Sequence, residues 1–337
     1  MGLKNKLLPP LLVFMLAGCS TLTEQVTTGF GLFGAPKTVE RAVLQDFHPS
    51  AKATQVWHQQ VGGAGGFVFA PAIIDSSVYA VGQDGQLARF DADSGKLIWR
   101  IDVGTKLSSG VGGGNNLLLL GTAKGEVLAF DQDGKSLWKA KVSSEVLSTP
   151  QSAEDTVVVR TGDGRIYGLD AKDGKRKWVY QRAMPALVLR NYAGVVVTRG
   201  AVLAGFPGGK MVALNLANGT VGWEATVALP RGATELERIA DITSLPAADS
   251  NMVCAVAFQG RVACFDVLRG NQLWTREISS ISGLSMDNRY LYISDAKGAV
   301  HALDKNSGAS IWKQDKLSGR ELTVPLLLNG YVAVADF

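Results

Sequence analysis

The feature that most constrains this chain is a tryptophan that recurs about every 40 residues. The chain has seven tryptophans, and all of them belong to the series: Trp57, Trp99, Trp138, Trp178, Trp223, Trp274 and Trp312. Their successive spacings are 42, 39, 40, 45, 51 and 38 residues. A period of this length indicates one supersecondary unit per copy, and such a unit can bury its apolar faces only against neighbouring copies.

Two glycine positions repeat together with the tryptophan. One glycine stands four residues before each of the last six tryptophans, at Gly95, Gly134, Gly174, Gly219, Gly270 and Gly308. Another stands six residues before an Asp or Asn, in the pairs Gly85 and Asp91, Gly125 and Asp131, Gly164 and Asp170, Gly209 and Asn215, Gly260 and Asp266, Gly298 and Asp304. Six copies of one pattern predict six complete repeats.

Each repeat predicts four short strands. In the first copy, 78–81 is rich in β-forming residues, 83–85 closes a hairpin, and 91–95 makes a second turn before the strand that starts at Leu97. A further strand precedes each copy and often follows a proline, namely Pro71, Pro150, Pro246 or Pro325. No segment has a strong helical period. The predicted fold class is therefore all-β, a β-propeller of four-stranded antiparallel blades.

The tryptophan is predicted to fill the seam between two blades, because one large flat side chain per blade suits that space. Small residues nearby, such as Ala129, Gly168 and Ala302, would leave room for it.

The two ends of the series predict incomplete blades. Trp57 would close a blade whose earlier strands are missing before it, and 325–337 would begin a blade that never reaches its glycine and tryptophan. Completing both ends gives eight blades, which requires about 45 further residues and predicts a C-terminal truncation. Merging the two ends gives seven blades with one strand missing.

The N-terminus predicts an exported lipoprotein. Lys4 and Lys6 precede an uncharged apolar run, 7–16, which is too short to span a bilayer as a helix. Leu-Ala-Gly then leads directly into Cys19, which resembles the bacterial lipobox, where the cysteine is lipidated. In the Gram-negative sorting pattern, Ser20 favours the outer membrane. The predicted organisation is a signal peptide at 1–18, a lipidated tether at 19–50 and an incomplete propeller at 51–337.

Charge excludes one large class of partners. The 34 lysines and arginines less the two leader lysines leave 32 basic residues against 30 acidic ones, without a dense basic run. Nucleic-acid binding therefore lacks its electrostatic basis.

The other two cysteines, Cys254 and Cys264, flank Gln259 and Gly260 in a predicted hairpin. They would be cross-strand partners there, and an oxidising compartment would permit a disulfide. We favour the alternative of two buried free thiols.

Other motifs that suggest ligands have simpler interpretations. Asp91-x-Asp93-x-Gly95 resembles the start of a calcium loop, but it lacks the downstream acidic ligand and is predicted to be a turn. The glycine clusters 62–66 and 112–114 are predicted to be loops. The three histidines lack metal-ligand spacing. The sequence thus predicts neither a metal nor a cofactor.

The repeat motif Asp-x-x-x-Gly-x-x-x-Trp resembles the pyrroloquinoline-quinone-type propeller repeat over about 57–337. Together with the lipobox, the chain is similar to the BamB family of propeller lipoproteins. That resemblance implies eight blades and a non-enzymatic scaffold of the outer-membrane β-barrel assembly machinery (the BAM complex). The implied partners are the POTRA domains of BamA and, less strongly, unfolded outer-membrane proteins.

A quinone-dependent periplasmic dehydrogenase is the alternative function. Enzymes with this repeat are usually longer, and they carry adjacent cysteines and an acidic residue at a calcium-bound quinone. This chain has no adjacent cysteine pair, and its repeated aspartates are assigned to turns. We therefore predict that it is not an enzyme.

The candidate binding residues lie where the tryptophan spacing is longest, in 182–191 and 229–243. Insertions map to loops, and loops carry function. By resemblance, both segments dock on BamA, and the family pattern Pro-x-Leu-x-Leu-Arg stands here as Pro185, Leu187, Leu189 and Arg190. An alternative is that the two leucines face the core from an inner strand.

The second segment matches its family pattern only in part. The pattern there is Asp-x-Asp, of which Asp241 is present and Thr243 departs, so the contribution of the second acid is in doubt. Glu235, Glu237 and Arg238 are predicted to be charges at the rim of the interface, which steer association more than they add affinity.

Overall fold

The computed structural model describes residues 41–44, 46, 48–49, 52–190 and 192–336. The predicted signal peptide and lipidation site, Cys19, lie outside these residues. The described residues contain only strands, turns and extended segments, so no helix among them is long and apolar enough to cross a membrane.

The strands form six four-stranded sheets and one two-stranded sheet, and all strand pairs are antiparallel. Blade 1 contains β1 (Ala72–Ile74), β2 (Ser77–Val81), β3 (Gln86–Asp91) and β4 (Leu97–Asp102). Blade 2 contains β5 (Gly112–Gly114), β6 (Leu117–Gly121), β7 (Glu126–Asp131) and β8 (Ser136–Lys141). Blade 3 contains β9 (Gln151–Ala153), β10 (Thr156–Arg160), β11 (Arg165–Asp170) and β12 (Arg176–Gln181).

The second half continues the series. Blade 4 contains β13 (Val196–Thr198), β14 (Ala201–Phe206), β15 (Lys210–Asn215) and β16 (Val221–Thr226). Blade 5 contains β17 (Ala247–Ala248), β18 (Met252–Val256), β19 (Val262–Asp266) and β20 (Gln272–Arg276). Blade 6 contains β21 (Gly283–Met286), β22 (Tyr290–Ser294), β23 (Val300–Asp304) and β24 (Ser310–Gln314). The two-stranded sheet contains β25 (Leu326–Leu328) and β26 (Tyr331–Ala333).

This arrangement confirms the predicted all-β propeller. The first strands of consecutive sheets contact one another from β5 to β25, which places them on the inner side of the blades. The six predicted repeats correspond to the six four-stranded sheets, and 325–337 does begin a further sheet. The total of eight blades stays a prediction.

The hydrophobic core is divided among the seams. Between each pair of consecutive four-stranded sheets lies one apolar cluster, which takes residues from the second and third strands of both sheets. Between blades 3 and 4, for example, Val158 and Ile166 pack with Val202 and Phe206. Because these strands are buried on both faces, they are runs of apolar residues, as in the 117–120 stretch of four leucines.

The repeated tryptophan bridges each seam by packing and by a hydrogen bond. Its indole N–H donates to a main-chain carbonyl in the second turn of the next blade, at 2.8–3.1 Å. The six pairs are Trp57 with Ala92, Trp99 with Gln132, Trp138 with Ala171, Trp178 with Leu216, Trp223 with Val267 and Trp274 with Lys305. Each repeat is thus fastened to its successor.

The repeated glycine lies against the indole ring of the tryptophan in the preceding repeat. A Cβ atom on Gly219 would lie 2.6 Å from the ring of Trp178, and Gly219 has a φ of +72°. Glycine therefore meets two demands at this position, the left-handed backbone and the close approach of the indole. The glycine and the tryptophan recur together because they form one contact between adjacent blades.

A β-bulge precedes the tryptophan in each of the six complete blades, where one residue of the fourth strand is left without a partner. A bulge bends the strand and redirects its side chains, which aims the indole into the seam. The small residues Ala129, Gly168 and Ala302 lie directly opposite their own tryptophans, as predicted.

Two local predictions are wrong. Gly112–Gly114 is the inner strand β5 and not a loop. A Cβ on Gly112 would lie 1.9 Å from the carbonyl oxygen of Pro150, so glycine is needed here for close packing of neighbouring inner strands. Cys254 and Cys264 are cross-strand partners as predicted, but they form a disulfide and are not free thiols. Their direct opposition across the hairpin, with Cα atoms 4.1 Å apart, brings the two sulfurs together.

We predict that the seam hydrogen bond stabilises the fold measurably. Trp178→Phe leaves the buried carbonyl of Leu216 without its donor and should lower the free energy of unfolding by about 1–3 kcal/mol. Trp312→Phe is the matched control, because Trp312 is 39% exposed and its indole has no acceptor among the described residues. It should cost less than about 0.5 kcal/mol. Urea denaturation of both variants measures the difference, and equal losses would contradict the assignment.

Candidate functional site

The longest connections between strands are those from β12 to β13 and from β16 to β17. They contain the two segments that the tryptophan spacing singled out. The first segment is described over 182–190 and the second over 229–243, and neither contains a strand. The alternative that Leu187 and Leu189 belong to an inner strand is therefore wrong, because the inner strand of blade 4 begins only at Val196.

The first segment is fixed at its start by contacts with blades 3 and 4. The guanidinium of Arg182 donates two hydrogen bonds to the carboxylate of Glu224, at 2.5 and 3.2 Å. This contact holds the pKa of Glu224 below its ordinary value. Met184 then packs against Gly164, where a Cβ would lie 2.6 Å from its sulfur. The chain leaves the blade edge at a defined position and presents Leu187 to solvent, with 40% of that residue exposed.

The second segment has a polar exposed half and an apolar buried half. The Glu237 carboxylate accepts hydrogen bonds from the backbone N–H groups of Ala233 and Thr234, and these bonds lower its pKa. Glu235 and Arg238 are exposed and form an ion pair at 3.8 Å. The following residues, 239–242, are buried.

Asp241 joins the two segments. Its side chain is buried, with 1% of the residue exposed, and it accepts hydrogen bonds from the backbone N–H groups of Leu189 at 2.8 Å and Gly208 at 3.1 Å. One carboxylate thus bridges the first segment, the second segment and the hairpin between β14 and β15. Its geometry stabilises the loops and does not present the acid to a partner.

Thr243 departs from the family pattern and has a different task. Its hydroxyl donates a hydrogen bond to the carbonyl of Ile281 at 2.7 Å, which ties the end of the second segment to the connection before blade 6. An ionised aspartate has no hydrogen to donate at this position.

A cavity of about 260 Å³ lies beside the first segment. Leu189 and Arg190 line it from the segment, and Arg160 lines it from the end of β10. Its other lining residues are Glu145, Leu147, Gly162, Gly164, Met184 and Val188. The cavity therefore combines apolar walls with two arginines and one glutamate.

The glycine-rich loop near the N-terminus reaches the same region. The Arg190 guanidinium lies 5.7 Å from the ring centres of both Phe67 and Tyr192, within the range of cation–π attraction. The Tyr192 hydroxyl donates to the carbonyl of Gly66 at 2.9 Å. The cluster 62–66 is a loop, as predicted, and it helps to orient Arg190.

The structure brings some of the predicted binding residues together and separates their roles. Leu189 and Asp241 are in direct contact, and Arg190 shares a cavity with Leu189. Leu187, Arg190, Glu235 and Arg238 are exposed, whereas Asp241 is buried. The exposed set can contact another protein, while Asp241 can act only through the backbone that it holds.

Sequence motifs and spacing identify neither Arg160 nor the aromatic pair around Arg190. Arg160 did leave a signal, because it ends a strand whose preceding residues are all apolar, 157–159. A charge at the end of a fully buried strand needs a partner or a function. Phe67 lies more than a hundred residues before Arg190 in the chain, so sequence spacing could not associate the two.

Comparisons with known proteins agree with this architecture. A family model described as outer membrane protein assembly factor BamB matches residues 50–104 and 83–314. The chain is 45% identical over 323 residues to an outer membrane protein assembly factor BamB of Nitrosomonas eutropha. The match covers 95% of this chain and 79% of that protein. It is 43% identical over 297 residues to the corresponding factor of Bordetella pertussis. That match covers 88% of this chain and 77% of the relative.

A solved structure is similar as well. The crystal structure of BamB from Moraxella catarrhalis superposes with a TM-score of 0.75 at 26% sequence identity. The match covers 80% of this chain and 82% of that one.

We predict that Asp241 orders the two segments. Asp241→Ala leaves the N–H groups of Leu189 and Gly208 without an acceptor, at a cost of about 1–3 kcal/mol each. Amide hydrogen exchange at these two residues should accelerate at least about tenfold. Asp287→Ala is the matched control, because Asp287 also accepts two backbone N–H bonds, from Arg289 and Tyr290 in blade 6. Unchanged exchange in the Asp241 variant would refute the ordering role.

Proposed function

Because the chain belongs to the family of outer membrane protein assembly factor BamB, we propose that it is a non-catalytic scaffold of the outer-membrane β-barrel assembly machinery. Membership of the family gives the chain an outer-membrane-associated location. As a scaffold, it acts through the surface that it presents to other proteins.

The repeated turns support a non-catalytic role. The Asp91 carboxylate accepts hydrogen bonds from the backbone N–H and the hydroxyl of Ser94, at 2.8 and 2.5 Å. The corresponding residues of the other five copies, Asp131, Asp170, Asn215, Asp266 and Asp304, likewise accept backbone hydrogen bonds within their own turns. These side chains are engaged in turn formation, which argues against the quinone-dependent alternative. The cysteines also stand on opposite strands of a hairpin and not side by side in sequence.

The docking surface is proposed to be formed by the two connecting segments, and the observation that carries this is the Asp241 bridge. It holds the first segment so that Leu187 and Arg190 are exposed on an ordered backbone. Ordering before binding lowers the entropic cost of association. An apolar side chain next to a cation is a suitable anchor, surrounded by rim charges such as Glu235 and Arg238. By family resemblance the partner is the POTRA region of BamA.

The rest of the proposal concerns the membrane and the clients. Lipidated Cys19 would anchor the chain to the periplasmic face of the outer membrane, and 19–50 would serve as the tether. Ala42, in the described part of the tether, exchanges hydrogen bonds with Ser318 and Arg320, so the tether joins the propeller near blade 6. Delivery of unfolded barrel proteins to BamA is the accompanying client role.

The docking assignment predicts loss of BamA binding on substitution of the exposed anchor. Leu187→Ala with Arg190→Ala should weaken binding to the purified POTRA region by at least about 30-fold, which corresponds to removal of a hot spot of about 2 kcal/mol. Leu97→Ala on the outer strand of blade 1 is the matched control, because that leucine is 44% exposed. Calorimetric titration measures the affinity of the unmodified chain, the double variant and the control for the POTRA region. Unchanged affinity in the double variant would refute the assignment.

Lipid anchoring through Cys19 predicts that loss of this cysteine releases the protein from membranes. Cys19→Ala removes the thiol that accepts the acyl chains, and stable anchoring requires more than one chain. Fractionation of cells should move the variant from the membrane pellet to the soluble periplasmic fraction. Sedimentation of the variant with the outer membrane in amounts equal to the unmodified chain would contradict lipid anchoring.

A further inference from the structure

Arg160 is a buried cation, and its charge has no acidic partner in the part of the chain that the structure describes. It ends β10 with 6% of its surface exposed, behind three valines that are completely buried. Among the described residues, no carboxylate lies within 4.0 Å of its guanidinium. Burial lowers the pKa of Arg160 to about 10, and no acidic group opposes that change. The side chain nevertheless remains protonated at neutral pH.

Among the described residues, the Arg160 guanidinium makes one hydrogen bond and one cation–π contact. Its Nη1 donates to the carbonyl of Gly194 at 3.5 Å, which is at the long limit for a hydrogen bond. The guanidinium also lies 4.9 Å from the centre of the Phe206 ring. The ring attracts the charge but offers no oxygen to the N–H groups, of which a guanidinium has five.

Arg160 borders an open volume. Arg160 lines the cavity of about 260 Å³ that Leu189 and Arg190 also line, which is large enough for an acidic side chain in place of several waters. The glutamate in the wall does not satisfy Arg160. Glu145 accepts a hydrogen bond from the Ser144 hydroxyl, and its carboxylate lies against Gly162. The two arginines outnumber this one acid, so the cavity favours an anion.

We propose that this cavity binds a carboxylate side chain, Asp or Glu, presented by a partner polypeptide, with Arg160 as its buried donor and Arg190 as a second cation. A guanidinium and a carboxylate match in shape and form two parallel hydrogen bonds, which are strong where water is excluded. An unpaired buried cation is costly. A carboxylate that pairs with Arg160 in good geometry would offset that cost. That the partner is BamA rests on the proposed function, whereas recognition of the carboxylate does not.

The first experiment uses the unmodified chain and needs no partner protein. The probes are the blocked peptides acetyl-Gly-Glu-Gly-amide and acetyl-Gly-Gln-Gly-amide at matched ionic strength, and the readout is the ¹⁵Nε signal of Arg160 in NMR spectra. The Glu peptide should shift this signal saturably, and the Gln peptide should not, because it carries no charge. Equal responses to both peptides, or no response to either, would overturn the proposal.

The second experiment asks whether the partner uses the cavity. Arg160→Lys keeps the charge and loses the planar fork, and Arg160→Met keeps the length and loses the charge. Both should weaken binding of the POTRA region at least about tenfold. Arg176→Met, an exposed arginine on β12, is the control and should bind normally.

The outcomes separate the two proposals. If Leu187→Ala with Arg190→Ala abolishes binding but both folded Arg160 variants bind normally, docking stands and use of the cavity by this partner is overturned. If the double variant Leu187→Ala with Arg190→Ala binds normally while the Glu peptide still shifts the Arg160 signal, docking fails and the carboxylate site stands. The peptide titration uses the unmodified chain, so a folding defect in the Arg160 variants leaves that test intact.

Discussion

The fold depends on one contact that is repeated at every seam, in which the indole of one blade lies under a glycine turn of the next and donates to its carbonyl. A single four-stranded sheet of this kind has two apolar faces and cannot be stable alone. The contact fixes the distance and the orientation between neighbours, and the apolar clusters then fill the remaining space. The repeated tryptophan and glycine therefore reflect the contacts between neighbouring blades more than the structure within each blade.

Where the repeat is lengthened, other interactions maintain order. The two long connections meet at Asp241, whose buried carboxylate accepts one backbone hydrogen bond from Leu189 in the first connection and one from Gly208 in the β14–β15 hairpin of blade 4. A buried acid is stable in this setting because each oxygen receives a hydrogen bond. The regular part of the propeller thus supplies a rigid frame, and the irregular part supplies a surface with exposed Leu187 and Arg190 beside an arginine-lined cavity.

The sequence predicts the regular part well, because periodic tryptophans, glycines and turn residues act locally and recur. It predicts the location of the candidate site as well, from the two stretched intervals. It fails where long-range contacts decide. Gly112 must be glycine because the Pro150 carbonyl approaches it closely, and Asp241 accepts a hydrogen bond from Leu189, which is 52 residues away in the chain. The cross-strand register of Cys254 and Cys264 is predicted correctly from the sequence, but the disulfide between them is not.

We propose that partner binding occurs where the repeat is interrupted and not along the repeated blades. The most direct measurement is a comparison of amide hydrogen exchange in the chain alone and in its complex with the POTRA region of BamA. Exchange should slow in 184–190, in 239–242 and at the hairpin around Gly208, and it should stay unchanged in the outer strands β4, β8 and β20. Protection of those outer strands, with the two connecting segments unaffected, would contradict binding at the interruptions of the repeat.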